Sequence, residues 1–433
     1  MPRRRAERRG LRLWPVGAVL ALAFATAILV AAAVFYTGWD LLGVRGLKPE
    51  HRIDSKTLFD LVKLSFGVVA GAGALVALVV AYRRQRVDED GALREATRLH
   101  TERFTTAVSQ LGDASAAVRL GGVHALAGLA DDAPTRDLRQ TCIDVLCAYL
   151  RLPYTSKTDL PVRDAEARHA YLALREVRHT VIRLIRDHLR LEPEHPRSWR
   201  DHDFDFTEAT FDGGDFSEAV FSGRVSFRGA TFSAGTVNFS NARFSGWVEF
   251  NGAIFSGSTV DFNIATFSCY ADFIMAEFAS GTVDFSGAEF SGSGRIRFNM
   301  ATFSGSTVDF SVAKFWQRGD DARVDFSEAT FSNGTVHFRE ARFSASTVHF
   351  SRARFYGGTV SFGAAEFSGS GRVDFSEATF SDGTVDFNMA RFYGGTVDFT
   401  QATGPAPAGL IPPAGSPLPT GLNLPSTWYP AGS

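Results

Sequence analysis

The stretch Gly334-Thr-Val-His-Phe-Arg-Glu-Ala-Arg-Phe343 contains the pattern that decides the fold, in which each phenylalanine follows a small or branched apolar residue two positions earlier. The pattern runs from Phe206 to Phe399, and thirty-three phenylalanines there are separated mostly by alternating gaps of five and seven residues. Side chains alternate across a β-strand, so the phenylalanine and the residue two before it face the same side. These two positions form the predicted core.

The apolar partner alternates between valine or isoleucine and alanine, which makes the true repeat about twelve residues long. A coil of about twelve residues is too short to enclose four bulky inward groups, so two repeats with four sides are favoured. Two different series occupy the position three before the valine-type phenylalanines in alternate repeats. They are Thr236, Thr259, Thr282, Thr307, Thr335, Thr359, Thr384 and Arg224, Trp247, Tyr270, Arg295, Arg323, Thr347, Arg372, Thr396. Two distinct edges are what a two-repeat coil predicts, and four phenylalanines per coil give about eight coils.

One stack of the predicted core is expected along a single side of this coil. Its members are Phe239, Phe262, Phe285, Phe310, Phe338, Phe362 and Phe387.

The repeats resemble those of pentapeptide-repeat proteins, whose five-residue unit has a small apolar residue at its start and leucine or phenylalanine at its centre. Ala209-Thr-Phe-Asp-Gly213 and Ala219-Val-Phe-Ser-Gly223 fit that unit directly. The resemblance implies a mainly β fold, a right-handed quadrilateral β-helix, over roughly Asp203 to Ala402. This chain departs from the family pattern by adding two residues at every second corner. The family shares an architecture and no common reaction, so the resemblance predicts fold rather than activity.

Two long apolar runs predict a pair of membrane helices before the repeats. The first run, 13–36, follows a cluster of arginines, and the second, 64–82, is followed at once by Arg83, Arg84 and Arg86. The positive-inside bias then places both termini in the cytoplasm, in a bacterial inner-membrane protein. Gly67 and Gly71 form a G-x-x-x-G pair; packing against the first span is favoured over a homodimer seam.

The remaining boundaries follow from composition. We expect a basic cytoplasmic N-terminus at 1–12, an external loop and the start of the second helix at 37–63, a cytoplasmic helical adaptor at 83–199, the β-helix at 200–403 and a Pro/Gly-rich tail at 404–433. The tail is expected to be extended or disordered, or to fold back through 422–430 as a cap, and the sequence leaves these alternatives open.

The adaptor reads as helices with apolar residues at spacings of three and four. Two short helices, 115–130 and 134–152, are similar to a single HEAT-like pair, with Pro134 in a first helical turn. Residues 163–190 carry many Arg and His side chains on a helix. These side chains are compatible with nucleic acid or anionic lipid, but a solvated helix face is favoured.

No residues have catalytic, cofactor-binding or metal-ligand spacing, so we expect a protein without enzymatic activity, cofactor or metal. His337 and His349 are twelve residues apart, which places them on opposite sides of the coil. The acids before phenylalanine are expected to be outward and solvated. They include Asp261, Asp284 and Asp309 on one side and Glu249, Asp272, Asp325, Asp374 and Asp398 on the other. The three cysteines fit packing roles.

These patterns predict a membrane-tethered scaffold or interaction module that presents a rigid β-helix to an unknown cytoplasmic protein partner. The sharpest alternative is a DNA-mimicking protein that binds gyrase or another topoisomerase, since some pentapeptide-repeat proteins do so. The repeat half is only moderately acidic and is interrupted by basic residues, which disfavours mimicry, and an enzyme is disfavoured further. Nucleic acid is not expected as a partner, and a homodimer through a β-helix end stays an alternative.

The candidate partner site is the single long corner between Phe315 and Phe326, where four extra residues must leave the coil. Trp316 and Arg318 on this corner are of types enriched at binding hot spots. Arg295, Arg323 and Arg372 continue the patch along the neighbouring edge. The alternative, slightly favoured, is a tolerated insertion with Trp316 lying flat on the coil.

Overall fold

The protein is known from a computed structural model. It describes residues 54–157, 160–161, 164–292, 294–316, 323–344, 347–368, 372–411 and 417–429, together with 21–22, 24–26, 28–29, 32–33, 36–37 and 40. The chain divides into two compact units, Met1–Arg98 and Leu99–Ser433.

Helix α1 (Ser55–Leu111) contains the second predicted membrane span, 64–82. Among the described residues it is the one helix long and apolar enough to cross a membrane by length and composition, where the sequence predicts two. The first predicted span, 13–36, lies largely outside the described residues, although those described between 21 and 40 are helical. Apart from the backbone of the helix itself, no described atom lies within 4 Å of a Cβ built on Gly67 or Gly71.

Three further helices belong to the second unit: α2 (Ala116–Asp131), α3 (Arg136–Arg151) and α4 (Ala165–Arg190). Helix α3 begins later than predicted because Thr135 is its N-cap and accepts a hydrogen bond from the Leu138 amide at 3.3 Å. Their apolar faces share one buried cluster, which includes Cys142 and Cys147. Burial raises the pKa values of these thiols to about 11 and about 12, as expected for packing residues.

The strands form four faces, named A to D in chain order. Face A holds β1 (Phe204–Asp205), β5 (Val225–Ser226), β9 (Val248–Glu249), β12 (Ala271–Asp272), β15 (Arg295–Arg297), β19 (Arg323–Asp325), β23 (Thr347–His349), β27 (Arg372–Asp374) and β31 (Thr396–Asp398). Face B holds β2 (Thr210–Phe211), β6 (Thr231–Phe232), the first parts of β10 (Ile254–Asp261) and β13 (Glu277–Asp284), β16 (Thr302–Phe303), β20 (Thr330–Phe331), β24 (Arg354–Phe355) and β28 (Thr379–Phe380).

Face C holds β3 (Gly214–Asp215), β7 (Thr236–Asn238), the second parts of β10 and β13, β17 (Thr307–Asp309), β21 (Thr335–His337), β25 (Thr359–Ser361) and β29 (Thr384–Asp386). Face D holds β4 (Val220–Phe221), β8 (Arg243–Phe244), β11 (Thr266–Phe267), β14 (Glu289–Phe290), β18 (Lys314–Phe315), β22 (Arg342–Phe343), β26 (Glu366–Ser368) and β30 (Arg391–Tyr393). A coil is numbered by its face A strand, so coil one begins at β1 and coil eight at β27.

All neighbouring strands are parallel and pair with the strand one coil away. Thr259 pairs with Thr236 on one side and Thr282 on the other, as the two-repeat coil requires. Arg295 lies in the separate series on face A, where it pairs with Arg323. The four-sided solenoid of about eight coils is therefore confirmed, while its right hand stays a prediction from the family resemblance.

The core is built from stacked phenylalanine rings. Those predicted to stack on face C are fully buried, with ring centroids 4.6 to 5.0 Å apart along the whole series. Rings from face A meet them edge-on, as where Phe298 and Phe310 lie 5.6 Å apart at 90°. Stacked and edge-to-face geometries are the favourable ones for aromatic pairs, so the interior combines both.

The short corners after faces A and C explain the acids that precede phenylalanine. The Ala265 amide donates to the Phe262 carbonyl, and Ile264 between them has a left-handed φ of 56°. Asp261 accepts a hydrogen bond from the Asn263 amide at 2.8 Å, which holds the turn. The same contact is made by Asp205, Asp215, Asp284, Asp309, Asp325, Asp374, Asp386 and Asp398. These acids are structural parts of the turns and not simply solvated side chains.

The C-terminal tail continues the winding beyond the last repeat. Thr403 bridges to Thr379, Ala408 bridges to Asp386, and β32 (Leu422–Asn423) pairs with β31. The Trp428 ring then packs 5.7 Å from both Phe380 and Phe399. Of the alternatives that the sequence left open, the described tail residues form the cap, and the unpaired edge of the last coil is covered.

At the other end, cationic side chains of α4 hold the first coil. Arg178 donates to the Thr210 carbonyl at 2.6 Å and Arg190 donates to the Ser217 carbonyl at 2.8 Å. From α3, Arg151 pairs with Asp205 at 2.7 Å. The helix face that was expected to be solvated instead binds backbone carbonyls and carboxylates of the solenoid. The adaptor from Leu99 onward therefore forms one unit with the solenoid.

Replacement of Phe310 by alanine is expected to destabilise the solenoid by about 3 to 5 kcal/mol, because it leaves a cavity among the six rings that surround it. Denaturation of the full chain in detergent measures this change. Met389→Ala is the control, since that side chain is 79% exposed and its loss is expected to cost less than about 0.5 kcal/mol. Equal free energies of unfolding for the two variants would show that the stacked rings do not stabilise the solenoid.

Candidate interaction surface

Three of the candidate partner residues, Arg295, Arg323 and Arg372, start strands of face A, along the corner between faces D and A. This DA edge carries Arg224, Trp247, Tyr270, Arg295, Arg323, Thr347, Arg372 and Thr396 in consecutive coils. The structure brings Arg295 and Arg323 together as register partners, with Arg372 two coils beyond Arg323. All three side chains are exposed. They form one edge, as the sequence predicts.

Trp316 lies at the start of the long corner. Its side chain is half-buried, and its indole N–H donates to Glu289 Oε1 of face D at 2.9 Å. The ring is thus held against face D, as in the alternative of a tryptophan lying on the coil. Arg318 lies outside the described residues, with the rest of 317–322, so the role of the long corner stays a prediction.

A column of aromatic and arginine side chains further along the DA edge was not singled out as a site from the sequence. The Arg224 guanidinium lies over the Trp247 ring at 5.0 Å, and the Trp247 and Tyr270 ring centroids are 5.8 Å apart. Both aromatic side chains are 41% exposed. The signal was present in the sequence, because these residues occupy the same repeat position as Arg295. Exposed tryptophan, tyrosine and arginine in one column are typical of a binding surface.

Beneath this column lies a buried charge network that fixes the floor of face A. Asp272 is fully buried, and it accepts hydrogen bonds from the Trp247 indole at 3.3 Å and from Arg297 Nε at 2.6 Å. Glu249 is 8% exposed beneath Arg224, which donates to it at 3.0 Å. The expectation of solvated acids is wrong for these two residues, because side chains from adjacent coils cover them. A buried polar side chain needs hydrogen-bond partners of this kind.

Methionines stand at the opposite margin of face A, on the corner between faces A and B. Met275 and Met300 are 58% and 49% exposed, and both occupy the left-handed turn position, with φ of 54° and 60°. Gly229 and Gly252 take the same position in the two preceding coils. Face A of coils three to five therefore lies between an aromatic margin and a methionine margin.

Face C, on the opposite side of the coil, has a different chemical character. Its strands carry the threonine ladder and a row of Asp261, Asp284 and Asp309 in register, without Lys or Arg. His337 lies on face C and His349 on face A, so the predicted separation of the two histidines is confirmed. The solenoid thus has an acidic side and an arginine-rich aromatic side.

The strongest cluster of titratable groups joins the adaptor to the first coil. The buried Asp212 carboxylate accepts hydrogen bonds from Tyr154 and Tyr171 at 2.7 and 2.6 Å. Arg175 Nε lies 3.5 Å away, and His179 Nε2 lies 3.6 Å from Asp212 Oδ1, beyond hydrogen-bond distance. Burial opposes ionisation of Asp212, but His179, Tyr154 and Tyr171 outweigh it and lower the pKa to about 2.

This cluster opens on a cleft of about 980 Å³ whose margin includes Lys157, Arg168 and Arg175. The pKa of Tyr171 is raised to about 12 by burial and by its hydrogen bond to Asp212. A carboxylate with a pKa near 2 is a poor general base at neutral pH, and a phenol with a raised pKa is a poor nucleophile. The arrangement is suited to locking the adaptor onto the solenoid.

Comparison with known proteins agrees with this architecture. The family model for pentapeptide repeats (nine copies) matches residues 206–254, the part of the repeat region in which the five-residue spacing is most regular. The match and the parallel solenoid together support a pentapeptide-repeat protein. Searches of curated proteins and of solved structures found no match.

Asp212→Asn is expected to weaken the attachment of the adaptor by about 2 kcal/mol at neutral pH. The folded-state pKa lies below the ordinary value of 3.8, so the carboxylate's contribution is complete above pH 3.8 and is lost as the pH falls through about 2. The free energies of unfolding of wild type and Asp212→Asn, measured between pH 3.8 and about 2, test this expectation. The variant should lose part of the decrease in stability that wild type shows on acidification.

The exposed Asp382 provides the control, because Asp382→Asn is expected to change stability by less than about 0.5 kcal/mol. A wild-type acid dependence in Asp212→Asn would show that this carboxylate does not hold the adaptor.

Proposed function

We propose that the protein is a membrane-tethered interaction module that presents the sides of a rigid solenoid to a cytoplasmic protein partner. The observation that carries the proposal is that both ends of the solenoid are covered, by α3 and α4 at one end and by the tail at the other. Covered edges cannot extend the sheets, so the outward rows of the faces are the surfaces left for binding.

The tether is supported by helix α1, whose apolar part is long enough to cross a bilayer. The flanking Arg83, Arg84 and Arg86 favour a cytoplasmic position for the chain that follows them. The two-span topology, with both termini in the cytoplasm of a bacterial cell, rests on the additional apolar run at 13–36. A solenoid of pentapeptide repeats is typically a structural module without catalysis, which fits a role in binding.

The partner is proposed to bind along the second half of the DA edge, at the long corner of Trp316 and Arg318 and at Arg323 and Arg372. Arg372 already pairs with Asp398, at 2.5 Å, so its guanidinium is oriented before a partner arrives. An arginine that is already oriented loses less conformational entropy when a partner binds.

The proposal of DNA mimicry finds less support in the rows of face C. Its carboxylate row is interrupted at His337 and Ser361, and its aspartates hold turns through amide contacts. A DNA mimic needs a continuous acidic surface, and these coils lack one. Homodimerisation through a solenoid end would require displacement of one of the two caps.

The full chain is expected to float with inner membranes in a density gradient and to resist extraction by alkaline carbonate, because a membrane-spanning helix is not removed by charge screening. A cytoplasm-dependent reporter fused after Ser433 should be active. Release of the chain by carbonate would contradict the proposed membrane tether. A reporter that is active only outside the cytoplasm would contradict the proposed topology.

A variant with both Trp316 and Arg318 changed to alanine is expected to lose partner proteins captured by the wild-type chain while keeping its circular dichroism spectrum. The physical reason is the loss of two hot-spot side chains at one corner. Met389→Ala, on a corner between faces C and D, is the matched surface control. If the double variant captures the same proteins as wild type, the long corner is only an insertion.

A further inference from the structure

We propose that face A of coils two to five binds the surface of a bilayer that contains anionic lipid. In this arrangement Trp247 and Tyr270 lie at the level of the headgroups, and Met275 and Met300 contact the acyl boundary. The inference rests on the proposed tether, since a chain anchored in a bilayer holds its solenoid at high local concentration near the lipid.

The methionines are the first observation. Both stand in left-handed turn positions, a conformation that bulky side chains rarely adopt, and both are about half exposed. Glycine fills the same position in coils two and three, so the turn does not require a side chain. An exposed apolar side chain that the turn does not need adds nothing to the folded core, so an external contact is the role left for it. Ile264 and Val312 hold the same turn position and are also exposed, but their corner borders the aspartate row of face C.

The aromatic pair is the second observation. Trp247 and Tyr270 project from the DA edge, and each has an apolar body and a polar group. The Trp247 indole N–H is already bound to Asp272, so its ring is held in place. Tryptophan and tyrosine are the side chains that prefer the interface between water and lipid.

The charges of the patch are complementary to anionic lipid. Arg224 and Arg228 lie at one end of the aromatic and methionine residues, and Arg295 lies at the other, all exposed. The two acids on face A of these coils, Glu249 and Asp272, are buried beneath arginines, and the exposed Glu277 stands beyond Met275 at the start of a face B strand. Exposed arginines attract a negatively charged leaflet by about 1 kcal/mol each, which corresponds to a factor of about five per residue.

Face C distinguishes the two opposite sides of the solenoid. Its row of Asp261, Asp284 and Asp309 lies on the side of the coil opposite to face A. An anionic leaflet repels this side and attracts the opposite one, so face A is expected to settle on the membrane with face C turned away from it.

Lipid fits the patch better than a protein does because the apolar groups project. Met275 and Met300 stand on a convex corner, and the aromatic pair stands on another, at the two margins of a sheet face. A protein partner would need two pockets at matching positions, whereas a fluid interface accepts projecting side chains without preformed shape.

The experiment places an environment-sensitive maleimide dye at position 275. The full chain carries Met275→Cys with Cys269→Ser, while Cys142 and Cys147 are buried and protected from the reagent. The protein is reconstituted into vesicles of phosphatidylcholine or of an equal mixture with phosphatidylglycerol. In the mixed vesicles the dye should emit more strongly and further to the blue, and doxyl-labelled lipid should quench it.

Met389→Cys in the same background is the matched control. Residue 389 has the same left-handed turn conformation, with φ of 62°, and greater exposure, but it lies on the corner between faces C and D. Its dye should not respond to phosphatidylglycerol. Arg228→Gln and Arg295→Gln are then added to the protein labelled at position 275. The ratio of molecules whose face A is bound to lipid to those whose face A is free should fall about 30-fold. Arg224 is left unchanged because it covers Glu249.

Identical emission at positions 275 and 389 in a chain that remains integrated in the vesicles would overturn the proposal and leave the tether intact. If carbonate extracts the chain, the tether fails. The labelled protein is then added to preformed mixed vesicles, and a blue shift at position 275 would still support the lipid surface. A response to cell extract without lipid, together with none to the mixed vesicles, would assign the face to a protein and overturn lipid binding.

Discussion

The contact between a phenylalanine ring and the ring one coil away constrains the rest of the solenoid. Phe239 and Phe262 are 23 residues apart and stack at 4.9 Å, while Phe310 and Phe338 are 28 residues apart and stack at 5.0 Å. These distances are close to the spacing of hydrogen-bonded strands, so ring stacking and strand pairing reinforce one another. Additional residues are therefore accommodated at corners, where they do not change the separation of the rings.

The regular stacking of coils also leaves an unpaired strand edge at each of the two ends of the solenoid. The N-terminal edge is covered by charged side chains, with Arg178 and Arg190 donating to carbonyls of the first coil. The C-terminal edge is covered by backbone pairing and by the ring of Trp428. Both solutions satisfy backbone groups that would otherwise pair with another chain, which restricts binding to the sides.

The core and register could be predicted from the sequence because inward residues depend only on the repeat itself. Outward residues depend on side chains about one coil away, and Asp272 is buried because Trp247 and Arg297 close over it from opposite sides. The role of the aspartates in holding the turns could be predicted in part from the sequence, since an aspartate two residues before a small polar residue is a known turn signal. The role of the α4 arginines could not be predicted in this way. Their partners are backbone carbonyl groups of a coil that follows α4 in the sequence.

Function in this architecture is confined to positions that the coil leaves unrestricted. The inward positions must be phenylalanine with valine or alanine, and the residue before many phenylalanines must hold a turn. What remains is the third residue of each short turn and the first residue of each strand. On face A these positions carry methionine, aromatic residues and arginine. On face C the strand starts from Thr236 onward are a threonine ladder, while the turn residues vary and include the exposed Ile264 and Val312. The two faces therefore differ at the first residue of each strand, and the tryptophan, tyrosine and arginine at these positions on face A are the residues on which the proposed binding side depends.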